Sequence, residues 1–237
     1  MGQIMAKNKV FKTKDGERIG LFGASGCGKT TKARQLLTNV KRLIIFDSVK
    51  NEWAINGRKW LKRPVVVVNS GTSLNSHLKR RFKTPEFCII FTPKFGEEIQ
   101  QLNEVARAVF MMQAEYGLTH NASITLFVEE AQEAIPSGLA RKMPKHYALI
   151  LARMGRARGI NFVVASQRFK TVDITIRANL SRFYIFRLAE LADIKEANNY
   201  VKDLNMLASL PNLTYYYISP ESTNERKIGR LTFAKNS

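Results

Sequence analysis

Residues 23–30 read Gly-Ala-Ser-Gly-Cys-Gly-Lys-Thr, which satisfies the phosphate-binding pattern G-x-x-x-x-G-K-[ST]. The run before this loop, residues 18–22, is apolar enough to form a buried strand. After it, an i, i+3, i+4, i+7 apolar spacing that begins at Ala33 predicts a helix. A strand, a glycine-rich turn and a helix in this order present backbone N–H groups to phosphate. The sequence therefore predicts a nucleoside triphosphate site.

The loop residues have distinct expected roles. Lys29 is expected to reach the β- and γ-phosphates, and the hydroxyl of Thr30 is expected to ligate Mg²⁺. ATP and Mg²⁺ are therefore the expected cofactors. The predicted nucleotide-binding residues are the whole loop and the threonine that follows it: Gly23, Ala24, Ser25, Gly26, Cys27, Gly28, Lys29, Thr30 and Thr31.

Short apolar runs alternate with helical patterns along the chain, which is typical of a mainly parallel α/β sheet flanked by helices. Strands are expected at residues 18–22, 43–46, 65–68, 87–91, 124–128, 160–165, 182–187, 215–219 and 227–233. Helices are expected at residues 97–116 and 191–200, and a loop or broken helix at 134–145. Residues 1–237 are predicted to form one domain, with a basic extension over 1–17 and C-terminal strands over 201–237.

Two glutamates follow the strand at 124–128, as in a Walker B motif. Ligands bind at the carboxyl ends of strands in an open α/β sheet. We predict that Glu129 holds Mg²⁺, partly through water, and that Glu130 polarises the water that attacks the γ-phosphate. Two glutamates after a strand also suit an ordinary helix start. The complete phosphate loop upstream favours the catalytic interpretation.

Gln167 follows the next strand, so its amide is predicted to lie beside the γ-phosphate and to report whether that phosphate is present. The alternative is a surface turn residue without a role in the site.

An arginine-rich segment, residues 147–158, precedes that strand. Helical spacing places Arg153 and Arg156 opposite an apolar face, and Arg158 lies near the helix end beside Gly159. These arginines can be solvated surface residues, or they can supply an arginine finger to a nucleotide in an adjacent subunit. The predicted apolar face consists of Tyr147, Ile150, Leu151 and Met154.

Charge and composition restrict the partners. Lys plus Arg is 38 against 19 for Asp plus Glu, a net charge of +19. Such an excess favours a polyanionic partner, above all nucleic acid, although solubility alone is an alternative. Two basic clusters are candidate DNA contacts: Lys79, Arg80 and Arg81, and the segment around Arg141 and Lys142. No apolar run approaches the ~20 residues needed to cross a bilayer. Two cysteines without a metal or disulfide pattern, and no secretory signal, predict a cytoplasmic protein.

Residues 151–168 resemble the FtsK/HerA superfamily of DNA-pumping ATPases. Members have a similar Gly-Arg-Ala run, then Gly-Ile-His, leading to Ala-Thr-Gln-Arg. Here Asn161 and Ser166 replace the usual His and Thr. Residues 176–182 resemble the family's Lys-Ala-Asn-Ile-Pro-x-Arg segment, and residues 46–53 its Asp-Pro-Lys-x-Glu element.

The resemblance implies a RecA-like domain that forms a homo-oligomeric ring of about five or six subunits. It also implies ATP sites between subunits, an arginine finger from the cluster, and double-stranded DNA held without sequence preference in a central channel. The compact chain is similar to the packaging ATPases of tailless, membrane-containing icosahedral DNA viruses. That implies capsid-vertex or viral membrane proteins as partners, with the protein in the host cytoplasm or at the virion vertex.

The leading hypothesis is an ATP-driven double-stranded DNA translocase that packages a viral genome into a preformed capsid. A DNA-transfer or filamentous-phage assembly motor is the related alternative. A P-loop small-molecule kinase would leave the charge of +19 unexplained. A nucleotide-switched scaffold at a capsid vertex is disfavoured by the pair Glu129 and Glu130.

Overall fold

A computed structural model of the chain describes residues 16–48, 52–81, 84–120, 123–201, 204–219 and 227–232. Over these residues the chain forms one nine-stranded sheet with helices on both faces. The predicted basic extension lies outside the described residues, apart from its last two positions.

The strands occur where apolar runs were expected, with small differences at their ends. They are β1 (Arg18–Phe22), β2 (Arg42–Asp47), β3 (Val66–Val68), β4 (Phe87–Phe91), β5 (Ile124–Glu129), β6 (Ile160–Ser166), β7 (Arg182–Ile185), β8 (Thr214–Ile218) and β9 (Lys227–Arg230). The helices are α1 (Lys29–Leu37), α2 (Glu52–Leu61), α3 (Gly71–Arg81), α4 (Glu98–His120), α5 (Ala131–Ala134), α6 (Leu139–Lys142), α7 (Tyr147–Met154), α8 (Ile174–Asn179), α9 (Leu191–Val201) and α10 (Leu204–Ser209).

The strand order is β3-β4-β2-β5-β6-β1-β7-β8-β9. Strands β1 to β7 pair in parallel, and β8 and β9 add antiparallel pairings at one side. The prediction of a mainly parallel sheet is therefore confirmed. Because the parallel strands share one direction, their last residues lie at one edge of the sheet, here called the carboxyl edge. The opposite edge is called the amino edge.

The sheet separates two apolar layers. Successive residues of a strand face opposite sides, so Ile45 packs with one layer and Ile44 with the other. The layer around Ile45 includes the buried residues of α1 and α2, among them Trp53. The layer around Ile44 includes the buried residues of α3, α4, α7, α8 and α9. Both faces are covered, which explains why the parallel strands are continuously apolar rather than alternating.

The predicted apolar face of α7 is right for Leu151, which is buried, and wrong for Met154. Met154 has 53% of its surface exposed, and Tyr147 and Ile150 are only partly buried. The helix packs against both α4 and α8, so the buried side is broader and rotated relative to the prediction. The chain leaves the α-helix at Met154 and continues as a 3-10 turn over Gly155–Arg158. The buried residues of α7 are Ala148, Leu149, Leu151 and Ala152.

The segment expected to be a loop or broken helix, residues 134–145, begins at the last residue of the single-turn helix α5 and contains the single-turn helix α6. No helix in the described ranges is long and apolar enough to cross a membrane.

Candidate active site

The phosphate loop joins β1 to α1 at the carboxyl edge. Gly26 and Gly28 have φ angles of +73° and +114°, which side chains other than glycine rarely adopt. A Cβ atom on Gly28 would also come within 2.7 Å of Leu231. Gly28 stands directly before the first residue of α1, so these glycines let the loop turn into the helix with its N–H groups exposed.

Lys29 lies across the inside of the loop. Its Nζ donates hydrogen bonds to the carbonyl oxygens of Gly23 at 2.7 Å and Ala24 at 3.0 Å, and only 9% of the residue is exposed. Neighbouring strands anchor the loop, because the N–H of Ala24 donates to the carbonyl of Arg187 at 2.8 Å. The ammonium group is therefore positioned beneath the loop, where it can exchange carbonyl partners for phosphate oxygens.

A cavity of about 350 Å³ opens beside the loop. Its lining brings the loop together with Glu129, Glu130 and Gln167, as the sequence predicted. Gly23, Ala24 and Cys27 do not line it. The Cys27 side chain is buried in the apolar layer, and burial raises the pKa of its thiol. The loop residues on the cavity wall are Ser25, Gly26, Gly28, Lys29, Thr30 and Thr31.

Two carboxyl groups lie side by side on neighbouring strands. Asp47 of β2 pairs in register with Glu129 of β5. Oδ2 of Asp47 accepts a hydrogen bond from the N–H of Ala54 at 2.8 Å. Its Oδ1 and Oε2 of Glu129 are buried and have no hydrogen-bond partner in the described part of the chain. Burial, followed by the charges of Asp47 and Glu52, raises the pKa of Glu129, and burial also raises that of Asp47.

These residues fit a divalent cation. Mg²⁺ prefers oxygen ligands, and the unpartnered oxygen of Glu129 supplies one on the same cavity as Thr30, with the unpartnered oxygen of Asp47 on the neighbouring strand. Two buried carboxylates in contact repel each other unless a cation or a proton compensates their charge. The expected Mg²⁺ position at Glu129 and Thr30 therefore suits the chemistry of the site.

Glu130 is held in an unusual conformation. Its backbone adopts φ 45° and ψ 53°, in the left-handed region. A non-glycine residue there costs on the order of 1 kcal/mol and persists only where its surroundings enforce it. Here Nε2 of Gln167 donates to Oε1 at 2.6 Å, and Nε2 of Gln132 donates to Oε2 at 3.0 Å. Both carboxylate oxygens are therefore fixed by side-chain amides, with lone pairs left for a water molecule.

The hydrogen bonds continue beyond the two amides. Oγ of Ser166 lies 2.6 Å from Oε1 of Gln132 and accepts the N–H of Arg168 at 3.1 Å. Nε of Arg168 donates to the buried carboxylate of Asp193 at 2.6 Å, in the first turn of α9. Gln167 therefore lies beside Glu130 on the cavity wall, and the residues that follow β6 are tied to α9 through Arg168.

Several residues of the site were missed from the sequence: Glu52 and Leu213 line the cavity, whereas Asp47 and Gln132 contact it only through the neighbouring Glu129 and Glu130. Asp47 and Glu52 had a signal, because Asp47 ends a buried strand as Glu129 does. Gln132 and Leu213 had none. Leu213 reaches the cavity because its N–H donates to the carbonyl of Cys27 at 3.0 Å, a contact between residues far apart in sequence.

The arginine cluster lies at the amino edge, away from the cavity. The carbonyl of Arg156 accepts the N–H of Gly16, two residues before β1 begins. The seven residues of β6 separate the two edges by about 20 Å. Arg158 lies 4.2 Å from the centre of the Phe110 ring, and Nε of Arg153 donates to the carbonyl of Leu149 at 3.3 Å. Arg156 and Arg158 therefore lie across the sheet from the cavity of their own chain, whereas the guanidinium of Arg153 turns back along α7 and donates to the carbonyl of Pro144 at 3.4 Å.

A sequence profile of the family described as ABC transporter matches residues 6–139. This is more than half of the chain, and it includes the phosphate loop and the strand that ends at Glu129. The chain belongs to this family of P-loop ATPases. It is an ATP hydrolase, with the catalytic cavity at the carboxyl edge.

No curated protein matches the sequence. Solved structures do match the fold. The DNA-packaging ATPase from Sulfolobus Turreted Icosahedral Virus is 12% identical, with a TM-score of 0.68 over 92% of this chain and 98% of that one. The genome packaging NTPase from Sulfolobus turreted icosahedral virus 2, in complex with ATP-gammaS, is 11% identical, with a TM-score of 0.67 over the same shares. At these identities the likeness concerns the fold alone, and it agrees with the expected α/β fold of a P-loop ATPase.

Proposed function

We propose that this protein is an ATP-driven motor that translocates double-stranded DNA and packages a viral genome into a preformed capsid. The observation that supports it most directly is the cavity that joins the phosphate loop, Glu129, Glu130 and Gln167 in a chain of net charge +19. The fold is similar to that of a viral DNA-packaging ATPase over nearly the full length of both proteins.

The chemistry follows from the residues of the cavity. Lys29 offsets the charge of the β- and γ-phosphates, and Glu130 accepts the proton of the attacking water. Asp47, Glu129 and Thr30 would hold Mg²⁺, which neutralises charge that develops on the phosphates. Gln167 lies close enough to Glu130 to transmit the presence of the γ-phosphate to that carboxylate. Catalysis is then mainly positioning and charge neutralisation.

The arginine cluster supports a shared site between subunits. Because it lies across the sheet from the cavity, it can serve a nucleotide only in a neighbouring copy of the chain. A head-to-tail contact of this kind closes into a ring, for which about five or six subunits is our proposal. Arg153 and Arg156 are exposed, whereas Arg158 is partly covered and stacks on Phe110, so the first two are the better finger candidates.

A packaging motor must move along every sequence in the genome, so it should bind phosphates rather than read base edges. The excess of 19 positive charges suits that task. At the end of the DNA path, capsid-vertex or viral membrane proteins are the proposed partners.

The test is ATP turnover with and without random-sequence duplex DNA, together with duplex affinity across a range of salt concentrations. We expect duplex DNA to raise turnover, and log affinity to fall linearly with log salt, by about 0.9 per phosphate neutralised. Different duplex sequences should bind alike at one salt concentration. A protein that bound no duplex at low salt, and whose turnover ignored DNA, would contradict the motor and favour a small-molecule kinase.

A further inference from the structure

We propose that residues 138–145, here called the basic platform, form the surface that holds the phosphates of duplex DNA. The contacting groups are Arg141, Lys142 and Lys145, and Lys170 from the loop after β6 lies beside them. This inference rests on the proposed function, since it assigns the DNA contact of that motor. It decides between the two basic clusters that the sequence left open.

The cationic groups of the platform are exposed and uncompensated. All four side chains lie on the surface, and none takes part in an ion pair within the described ranges. The nearby Asp173 is fully buried, and its carboxylate accepts N–H groups of Ala140 and Thr175. Lys170 has its backbone N–H 2.7 Å from Oδ1 of Asp193, but that carboxylate is buried and also bonded to Arg168.

The platform lies at the carboxyl edge, next to the ATP site. An antiparallel bridge joins Pro136 to Val172, and the N–H of Ser137 donates to the carbonyl of Thr171 at 2.7 Å. These contacts hold the start of the platform against the loop that follows Gln167. They also explain why Lys170, far away in sequence, lies near Ser137.

The platform is also rigid. Its N-terminal half is fixed by Asp173, whose Oδ2 accepts the N–H of Ala140 at 2.9 Å, and by the buried side chain of Leu139. Its C-terminal end is fixed by His146, which caps α7 and lies 2.8 Å from the carbonyl oxygen of Ile99. A preformed backbone loses little conformational freedom when its side chains bind phosphate, so ordering the loop costs little binding free energy.

The same segment also reaches the catalytic glutamate. Gln132, whose amide holds Oε2 of Glu130, lies in α5, directly before the residues that bridge to Val172. Because the platform is rigid and its chain continues from α5, a shift of this unit as a whole on binding DNA would change the position of Gln132 and of the carboxylate it holds. This contact gives a physical reason for DNA to alter turnover.

The other cluster has a different location. Lys79, Arg80 and Arg81 end α3, and the carbonyl of Arg81 accepts the N–H of Thr84, shortly before β4 begins. They therefore lie at the amino edge, on the side of the sheet bounded by β3. The cluster has the same number of cationic residues as the main contacts of the platform, so it offers a matched control.

The experiment compares two triple variants that each lose three positive charges. One carries Arg141→Ser, Lys142→Ser and Lys145→Ser, and the other carries Lys79→Ser, Arg80→Ser and Arg81→Ser. Duplex affinity is measured by fluorescence anisotropy against salt, with thermal unfolding to check the fold. We expect the platform variant to reduce the salt slope by about 2 to 3, because each lost phosphate contact removes about 0.9. The control should keep the wild-type slope.

Three outcomes would overturn the inference. The platform variant could bind with the wild-type slope, or both variants could weaken binding equally through net charge alone. If the control variant alone flattened the slope, the DNA would contact the amino edge. A wild-type protein that bound no duplex would instead contradict the proposed function itself. If the triple platform variant failed to fold, Lys142→Gln and Lys145→Gln would be tested singly, each with an expected slope change of about 1.

Discussion

The two edges of the sheet differ in their chemistry. At the carboxyl edge, carboxylates and amides converge on the phosphate loop, and their hydrogen bonds fix Glu130 in a strained conformation. At the amino edge, the exposed groups include Arg80 and Arg156 as well as Glu86, and burial together with the charge of Arg156 lowers the pKa of Arg18. The ATP cavity opens at the carboxyl edge, whereas Arg156 and Arg158 lie at the amino edge. We propose that a complete site combines the carboxyl edge of one copy of the chain with the arginines of a second copy.

The largest effect is expected at Glu130. Glu130→Gln keeps the shape of the side chain but cannot accept the proton of the attacking water, so turnover should fall by at least ~100-fold. ATP binding should remain nearly intact, because Lys29 and the loop are unchanged. Turnover and equilibrium nucleotide binding are measured on the same preparation.

Glu133→Gln is the matched control for that substitution. It removes the same charge three residues later, from an exposed position on α5 outside the cavity lining, and should retain wild-type turnover. Lys29→Ala should weaken nucleotide binding itself. Near-normal turnover by Glu130→Gln would refute the assignment of Glu130 as the catalytic base.

The second prediction concerns the connection between the two edges. Arg156→Ala and Glu130→Gln proteins should each be nearly inactive, yet a mixture should regain activity. At equal concentrations, about one interface in four would combine an intact Glu130 with an intact arginine from the neighbour, so about a quarter of wild-type turnover is expected.

The same mixture is prepared with Arg153→Ala and with Arg158→Ala, since any of the three arginines can be the finger. Two Glu130→Gln preparations mixed together serve as the control and should stay inactive. Turnover per chain that remains constant on dilution down to monomer would count against a site shared between subunits.

The third prediction tests the hydrogen bonds that hold the carboxylate of Glu130. Gln132→Ala removes one amide from the Glu130 carboxylate, and a hydrogen bond to a charged group contributes on the order of 1.5–3 kcal/mol. If most of this free energy holds the Glu130 carboxylate in its catalytic position, kcat should fall about tenfold while KM for ATP changes little.

Gln100→Ala, on the exposed surface of α4, is the control and should leave both constants unchanged. Gln132→Asn has a shorter side chain that can restore part of the rate. An equal loss in KM and kcat, or in thermal stability alone, would show that Gln132 supports the fold rather than the position of Glu130.

A part of the structure could be predicted from the sequence where residues close together in the chain determine it. The phosphate loop, Gly23 to Thr30, is a contiguous sequence pattern. Glu129 and Glu130 come at the end of the apolar run that forms β5. The positions of all these residues could therefore be predicted from the sequence. Leu213 reaches the cavity only through its contact with Cys27, between distant parts of the chain, and the bond from Gln132 to Glu130 depends on the left-handed backbone of Glu130; periodicity encodes neither. The predicted burial of Met154 was wrong because the prediction assumed that α7 has one covered face. The helix instead packs between α4 and α8 and ends at Met154.

The smallest expected effect concerns His146, which joins the platform to α7. Its Nδ1 accepts the N–H of Ala148 at 3.2 Å, and its Nε2 lies 2.8 Å from the carbonyl oxygen of Ile99, so the neutral ring has its proton on Nε2. Burial lowers the pKa of this histidine, despite the opposing hydrogen bond to Ile99. The unfolded chain, with an ordinary histidine pKa of about 6.5, therefore binds more protons below that pH.

It follows that the contribution of His146 to stability is present above pH ~6.5 and is lost as the pH falls from there toward the lower pKa of the folded state. His146→Asn keeps an effective helix cap but does not titrate in this range, so it should lose less stability than the wild type between pH 7.5 and 5. Urea unfolding at several pH values measures this difference. His77→Asn is the comparison, because burial and the charges of Arg80 and Arg81 also lower the pKa of that half-buried histidine, which lies on α3 away from the platform. If His146→Asn followed the wild-type curve, protonation of His146 would not weaken the junction between the platform and α7, and the acid sensitivity of the carboxyl edge would have to come from its carboxylates.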